Sequence, residues 1–368
     1  MRILFTGGGT GGHLFPIIAV ARELKKIKDM PDKKTLEMLF VGPETLGGET
    51  LAKEDIAVVN ILAGKLRRYF SGHNFLDIFR VIVGFFQSLI ILFSFMPNVV
   101  FSKGGFGSVP AVLVAWLYGI PVLVHESDSV PGLSVKITSL FAKRIAISFP
   151  RAATFFPPRK TALLGNPVRS DLFGGSKEQA KVLFGLSGDK PLILILGGSQ
   201  GAKSINDVVF LALKGLLEKY EIIHQCGQDN LEDLKTLIGN NMPAGYHLFP
   251  FLDEPQMKQA LAAADLIVSR AGSGSIFEIA DSAKPSILVP LPDSAGDHQK
   301  TNAFDYATTG ATLVLQQENL TPNFLLDRVG AMLGNPDLLG KMSAAAKTFA
   351  KPEADKVIAE ELLSIAKK

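Results

Sequence analysis

Along this chain, short apolar runs with the look of buried strands alternate with longer stretches whose apolar positions keep helical spacing. In the first half the pattern predicts strands at Arg2–Thr6, Leu36–Val41, Ala57–Leu62, Val99–Ser102, Val122–His125, Arg144–Ile147 and Ala162–Leu164. Helices are predicted between them, notably Pro16–Lys26, Phe75–Phe95, Val109–Tyr118 and Gly132–Phe141. After Pro157–Ser176, a Pro-, Gly- and Arg-rich linker, the pattern restarts. Strands are then expected at Leu192–Leu196, Glu221–Cys226, Tyr246–Phe249, Leu266–Ser269, Ser286–Val289 and Thr312–Leu315. Such alternation predicts an α/β chain of two doubly wound units, each a parallel sheet with helices on both faces. The final helices, Lys341–Phe349 and Glu353–Ala366, have no strands between them and are expected to strap the units together.

The polar breaks carry the chemistry. In Ser269–Asn302 a strand turns at Gly272 and Gly274 and opens a helix with apolar Ile276, Ile279 and Ala280. A Ser/Gly turn feeding a helix offers free backbone N–H groups and the positive end of the helix dipole, which suit a phosphate. Glu278 stands where a carboxylate accepts from vicinal hydroxyls such as those of a ribose. The next strand leads into a polar loop ending in Asp297-His298-Gln299 and Asn302. In open parallel sheets, loops at the carboxyl ends of strands bind ligands. The stretch reads as a nucleotide-diphosphate site with polar groups to spare for a sugar.

Gly7-Gly8-Gly9-Thr10-Gly11-Gly12-His13 follows the first strand and opens the first helix. It contains the spacing G-x-G-x-x-G, but the second strand ends in Val41-Gly42-Pro43 without the acid that a dinucleotide's ribose requires. Gly11 and Gly12 let the backbone approach a bulky ligand, and His13 is placed as a general base or a hydrogen-bond donor. A second glycine turn, Ser102–Ser108, repeats the design, as does Gly197-Gly198-Ser199-Gln200-Gly201-Ala202 in the second half, with Ser199 free to bond a phosphate. His125-Glu126-Ser127-Asp128 is expected to set four polar side chains at one sheet edge. Adjacent positions on a strand end cannot all face one ion, so no metal site is read there. Gly165-Asn166-Pro167-Val168-Arg169 reads as a Pro-fixed hinge carrying Arg169 toward a bound nucleotide or sugar.

Phe75–Phe95 is the most apolar segment. Only 16 residues separate Arg80 from Pro97, broken by Gly84, Gln87 and Ser88. That is short of the roughly 20 clean residues a bilayer span needs. Two readings stand: a buried core helix, or a helix whose outer face, Phe79, Ile82, Phe86 and Leu89, dips into a membrane interface. Lys65, Arg67, Arg68 and Arg80 could then meet anionic headgroups or a pyrophosphate.

Composition narrows these readings. The 368 residues are 47% hydrophobic and 20% charged, which suits a two-domain globular chain. A single cysteine, Cys226, excludes a disulfide framework or thiolate cluster and suits a reducing compartment. The chain opens directly into a strand, without a signal-peptide layout, and reads as cytosolic. Residues 1–160 hold 19 Lys and Arg against 11 Asp and Glu, and residues 161–368 hold 19 against 24. A basic first half favours an anionic substrate or membrane surface. No basic helix with interleaved aromatics argues for nucleic acid.

GGGTGGH at 7–13, GNPVR at 165–169, GGSQGA at 197–202, and the Arg270–Glu278 and His298–Asn302 elements follow one another in this order. Together they resemble the bacterial transferases that add N-acetylglucosamine (GlcNAc) to the undecaprenyl-linked muramyl-peptide precursor of peptidoglycan. The resemblance covers essentially the whole chain. It implies a GT-B fold, two Rossmann-like domains facing across a cleft, with residues 1–165 and a returning helix at 350–368 on the acceptor and membrane side. Residues 166–349 would bind UDP-GlcNAc. It implies inverting transfer to the C4 hydroxyl of the muramyl sugar at the cytoplasmic face of the inner membrane, with no cofactor. No Asp-x-Asp motif is present, and no required metal is expected. Matched by motif, Thr10, Gly11 and Gly12 would line the donor site, with His13 as the leading base candidate and Asp128 as the other. Arg169 and Ser199 would reach the donor phosphates, and Leu252 would set backbone against the uracil. Ser273, Gly274, Ser275, Ile276, Phe277 and Glu278 would wrap the diphosphate and ribose, and His298, Gln299 and Asn302 the GlcNAc hydroxyls. Asp128 stands where the family often has Asn. Three other readings compete: a UDP-GlcNAc 2-epimerase-like enzyme, a membrane-associated sugar-nucleotide-binding partner, and a Rossmann oxidoreductase.

Overall fold

The computed structural model describes residues 1–9, 11–27, 36–44, 47–64, 73–198, 201–239, 241–292, 294 and 296–366, with 73–78 as backbone only. The chain forms two compact units. Unit 1 is Met1–Arg169 with Pro352–Lys368, and unit 2 is Ser170–Lys351.

Unit 1 holds strands β1 (Arg2–Thr6), β2 (Glu37–Gly42), β3 (Ile56–Asn60), β4 (Val99–Ser102), β5 (Val122–Glu126), β6 (Arg144–Ile147) and β7 (Thr161–Leu163). They form one parallel sheet ordered β3-β2-β1-β4-β5-β6-β7. Its helices are α1 (Gly11–Lys26), α2 (Gly48–Lys53), α3 (His73–Phe95), α4 (Val109–Leu117) and α5 (Leu133–Phe141). Side chains alternate along each strand, so both faces are apolar. Ile3 and Phe5 pack with α1 and the chain's last helix, whereas Leu4 joins α3 and α4 on the other face. Burying each large apolar side chain stabilises by about 1.5–3 kcal/mol.

Helix α3 shows why its sequence is interrupted by small and polar residues. Gly84, Ser88 and Leu92 repeat every four residues and are buried. A Cβ on Gly84 would collide with the Leu62 carbonyl, and Gln87 Oε1 accepts the Leu62 N–H at 2.8 Å. The opposite face exposes Phe79, Ile82, Phe86, Ile90 and Phe93. Leu89, expected on that face, instead packs against the core. Ile90 and Phe93 take its place because the exposed stripe follows the true helical period. Lys65, Arg67 and Arg68 lie outside the described residues. No helix among the described residues is long and apolar enough to cross a membrane.

Unit 2 repeats the design with β8 (Leu192–Leu196), β9 (Glu221–Gln225), β10 (Tyr246–Phe249), β11 (Leu266–Ser269), β12 (Ser286–Leu288) and β13 (Thr312–Val314). The parallel order is β10-β9-β8-β11-β12-β13. Its helices are α6 (Lys177–Phe184), α7 (Lys203–Lys219), α8 (Leu231–Ile238), α9 (Glu254–Ala263), α10 (Ser273–Asp281), α11 (His298–Ala307), α12 (Pro322–Leu333) and α13 (Pro336–Phe349). The chain then returns to unit 1, where α14 (Ala354–Ala366) packs on α1 through Ile358, Leu362 and Ile365.

The linker motif belongs with unit 1. The change of unit falls after Arg169 rather than at 165/166, with Gly165 bonded to His125 on β5 and Asn166 to Lys103 just after β4.

Candidate active site

In both sheets the strand order reverses beside the first strand of the unit, between β1 and β4 and between β8 and β11. That crevice is where an open parallel sheet binds its ligand. The glycine loops flank both crevices.

In unit 1 the first two glycine loops press together. A Cβ on Gly105 would stand 2.8 Å from Gly8 N, and one on Gly8 would stand 2.9 Å from His13 Nδ1. Gly104 and Gly105 hold φ of 82° and 79°, open to glycine and strained for other residues. His13, in the first turn of α1, therefore lies over the first loop and beside the second. The second loop, which its sequence likens to the first, tightens at its end. A 3-10 turn at Phe106–Ser108 uses the Ser108 N–H and the Val109 N–H with which α4 begins.

The His125–Asp128 segment also differs from expectation. His125 and Glu126 are buried rather than lined up at an open edge. His125 Nε2 donates to Gly165 O at 2.9 Å while Nδ1 accepts from Lys103 Nζ at 2.8 Å. Burial and the Lys103 charge hold His125 well below its ordinary pKa, so the ring is neutral. The Glu126 carboxyl accepts from the N–H groups of Asp128 (2.9 Å) and Gly132 (3.2 Å), which shapes the loop. Burial, aided by the Asp128 charge, pushes Glu126 up to about 8. Asp128 alone of the acids here is partly exposed. His13 and Asp128 thus share one sheet edge, with β4 between their strands.

Arg169 is the last residue of unit 1 before the chain enters unit 2. Its guanidinium lies over the Phe15 ring, 4.1 Å from the centroid, within unit 1. Thr10 and Ser199 lie outside the described residues.

In unit 2, α10 begins at Ser273, capped by Gly272 without a side-chain bond. The Ile276 N–H is already bonded to Gly272 O at 3.0 Å, and the Ile276 and Phe277 side chains are fully buried, Phe277 against Phe349. Their expected ligand contacts therefore have no exposed side chain, because these positions are the helix's core face. Ser273, Gly274 and Ser275 supply the helix N-terminus, and Glu278 is half-buried. Leu252 gives its N–H to Gln225 Oε1 at 3.0 Å, and Gln225 Nε2 reaches Gly198 O at 3.2 Å, which ties the third glycine loop to the β10 loop. The Leu252 N–H is thus used within the fold. Gln299 Oε1 likewise accepts from Leu291 N at 3.0 Å. Asn302 is wholly buried on α11, so its amide shows no surface to a sugar here, whereas His298 is partly exposed at the helix start.

Two supports were not foreseen from spacing. Arg270 Nη2 donates to Ser204 Oγ (2.8 Å) and Gln317 Oε1 (2.7 Å), while Nη1 reaches Val289 O (3.2 Å). It fastens the loops after β11, β12 and β13 to the start of α7. His224, wholly buried, bonds Tyr246 Oη at 2.7 Å and Asn206 Oδ1 at 3.0 Å. Burial lowers it to about 3, which keeps it a neutral brace.

The comparisons agree with this anatomy. Residues 3–147 match the glycosyltransferase family 28 N-terminal domain, and residues 192–358 its C-terminal domain. A Clostridium kluyveri relative is named "UDP-N-acetylglucosamine--N-acetylmuramyl-(pentapeptide) pyrophosphoryl-undecaprenol N-acetylglucosamine transferase". It is 40% identical over 94% of this chain and 95% of its own. A Bacillus thuringiensis relative of the same name, numbered 3, is 40% identical over 91% and 92%. The crystal structure of Acinetobacter baumannii MurG superposes with a TM-score of 0.75 at 29% identity, over 99% of both chains. A Neisseria meningitidis UDP-GlcNAc 2-epimerase has a TM-score of 0.68 at 16% identity, over 99% of this chain and 100% of its own, and shares the fold alone. With two doubly wound GT-B units, both family 28 domains and relatives at 40% identity over nearly its whole length, the chain belongs to the UDP-N-acetylglucosamine--N-acetylmuramyl-(pentapeptide) pyrophosphoryl-undecaprenol N-acetylglucosamine transferase family.

Proposed function

We propose that this chain moves GlcNAc from UDP-GlcNAc to the C4 hydroxyl of undecaprenyl-pyrophosphoryl-N-acetylmuramyl-pentapeptide, inverting the anomeric centre to make a β-1,4 link. The observation that carries this reading is the 40% identity, over 94% of the chain, to transferases of that name.

The donor binds unit 2. The N-terminal N–H groups of α10, at Ser273, Gly274 and Ser275, receive the diphosphate, and Glu278 accepts from the ribose hydroxyls. His298 and the Gln299 amide nitrogen address the GlcNAc. The acceptor binds unit 1 beside the Gly7–His13 loop, and Arg169, which lies over Phe15 in that unit, is assigned to the acceptor's pyrophosphate instead of the donor phosphates that its motif implies. The C4 oxygen attacks the anomeric carbon as His13 or Asp128 takes its proton, and the bond to the diphosphate breaks with its electron pair leaving on UDP. The helix N-terminus stabilises that departing charge without reorganising. Residues 1–169 with α14 thus form the acceptor unit and residues 170–351 the donor unit.

The acceptor's prenyl chain keeps it in a lipid leaflet. We assign the exposed α3 face, Phe79, Ile82, Phe86, Ile90 and Phe93, to the cytoplasmic membrane surface, joined by Trp116 and Leu117 on α4, which packs against α3. The reading is tested by incubating the protein with UDP-GlcNAc and a soluble prenyl-pyrophosphoryl muramyl-peptide analogue. A disaccharide whose anomeric proton shows β configuration supports it. Conversion of UDP-GlcNAc to its C2 epimer without acceptor overturns it.

A further inference from the structure

Lys103 has no part in the mechanism above, yet it is one of the most committed side chains in unit 1. It leaves the end of β4 and is 2% exposed. Its ammonium donates to His125 Nδ1 at 2.8 Å, to Ser127 Oγ, and to Asn166 Oδ1 at 3.1 Å. An ammonium has three protons, and each has an acceptor on a different part of the edge. A buried lysine is costly unless its protons find acceptors: burial lowers Lys103 from 10.5 to about 8, and the neighbouring carboxyls of Glu126 and Asp128 oppose that fall.

We infer that Lys103 is a positioning residue for the acceptor-side chemistry: it clamps the β5 loop and the Gly165–Arg169 turn to the glycine edge and fixes the His125 tautomer. The inference rests on the transferase reading. The Ser127 bond sets the residue beside Asp128. The Asn166 bond, with His125 Nε2–H to Gly165 O, sets the turn whose Arg169 lies over Phe15, two residues beyond His13. One ammonium therefore fixes the surroundings of both candidate bases. A Cβ on Gly7 would stand 3.4 Å from Lys103 Cβ, so the clamp is also in contact with the first loop.

The test compares wild type with Lys103→Met. Because a misplacement of about 1 Å costs on the order of a hundredfold, kcat/KM for the acceptor analogue should fall about a hundredfold. The dissociation constant for UDP-GlcNAc should stay within about twofold, since unit 2 is untouched. In wild type with 15N-labelled histidine, the His125 resonances should report one neutral Nε2–H tautomer from about pH 5.5 to 8.5, across the ordinary histidine range. In Lys103→Met they should become tautomer-mixed or begin to titrate. Should that variant fail to fold, Asn166→Ala removes one acceptor of the clamp and should still lower acceptor kcat/KM about tenfold. A His125 that titrates in wild type, or a folded Lys103→Met with normal acceptor kinetics, overturns the inference. Absence of acceptor-dependent turnover in the unmodified chain would instead overturn the transferase reading.

Discussion

The Arg169 guanidinium lies 4.1 Å from the centroid of the Phe15 ring, which joins the segment that closes unit 1 to the helix that carries His13. A cation over an aromatic face at a partly exposed site contributes about 0.5–1 kcal/mol. Phe15→Leu keeps apolar bulk and removes the ring face. It should lower stability by about that amount and acceptor turnover by less than tenfold. Arg169→Ala should cost activity more than stability, because it removes the cation proposed to face the substrate as well. Equal, small activity losses in the two variants would reduce Arg169 to a structural role; paired urea melts and kinetics give the answer.

His13 and Asp128 are separable by substitution. If His13 is the base, His13→Ala should reduce turnover by about 10²–10⁴ while UDP-GlcNAc binding is unchanged. Asp128→Asn should then be mild. The reverse pattern would assign the proton to Asp128, whose side chain shares the edge and, as a carboxylate, can accept but not donate. Single-turnover rates keep product release out of the comparison.

Gly84 lies where α3 meets the Leu62 carbonyl, with no room for a methyl group. Gly84→Ala gains helix propensity but overpacks this contact, and should destabilise by about 1–3 kcal/mol. Gly340 on α13, where a Cβ meets nothing, is the control, and Gly340→Ala should be neutral or stabilising. A Gly84→Ala as stable as wild type in urea would contradict the packing of α3.

The docking of α14 should depend on pH. Burial, with the nearby Glu23 charge, pushes Asp355 up from 3.8 to about 6. A carboxyl whose folded pKa exceeds its unfolded one binds protons more tightly in the native state. Its contribution is therefore complete below about pH 4 and is lost as pH rises through about 6. Asp355→Asn keeps an oxygen for the Lys356 N–H, bonded at 2.8 Å, without burying a charge. It should flatten stability between pH 4 and 7 and raise it at pH 7.5. Parallel pH profiles for the two proteins would contradict this.

The membrane surface can be removed without touching the core. Phe86 and Phe93 are 59% and 71% exposed, so Phe86→Ser with Phe93→Ser should leave the melting temperature nearly unchanged. Binding to anionic vesicles should fall at least tenfold, since each buried phenyl ring contributes about 1.5–3 kcal/mol. Undiminished vesicle binding would move the membrane contact elsewhere.

The strands were legible because a parallel strand buried on both faces reads as an unbroken apolar run, as in Leu192–Leu196. The helix start at Gly11 was less so. Pro16 suggests a first helical position, yet it lies inside α1, where it leaves the Gly12 carbonyl without its usual partner. The loops that shape the site could be found from their glycines, but the side chains that hold them could not. Lys103 meets partners 22, 24 and 63 residues away, and no local period encodes such contacts. The motif implies a sugar contact for Asn302, while its burial depends on how α11 lies in unit 2, which spacing along the chain does not determine. On α3 the face was legible, and the phase was off by one residue at Leu89, because a strict three-and-four spacing drifts over several turns.

UDP release from UDP-GlcNAc, measured with and without the soluble prenyl-pyrophosphoryl muramyl-peptide analogue, tests the central claim most directly. The account predicts release that depends on the acceptor and is stoichiometric with disaccharide formed. Release at the same rate without acceptor, or tight UDP-GlcNAc binding with no release when acceptor is present, would contradict it.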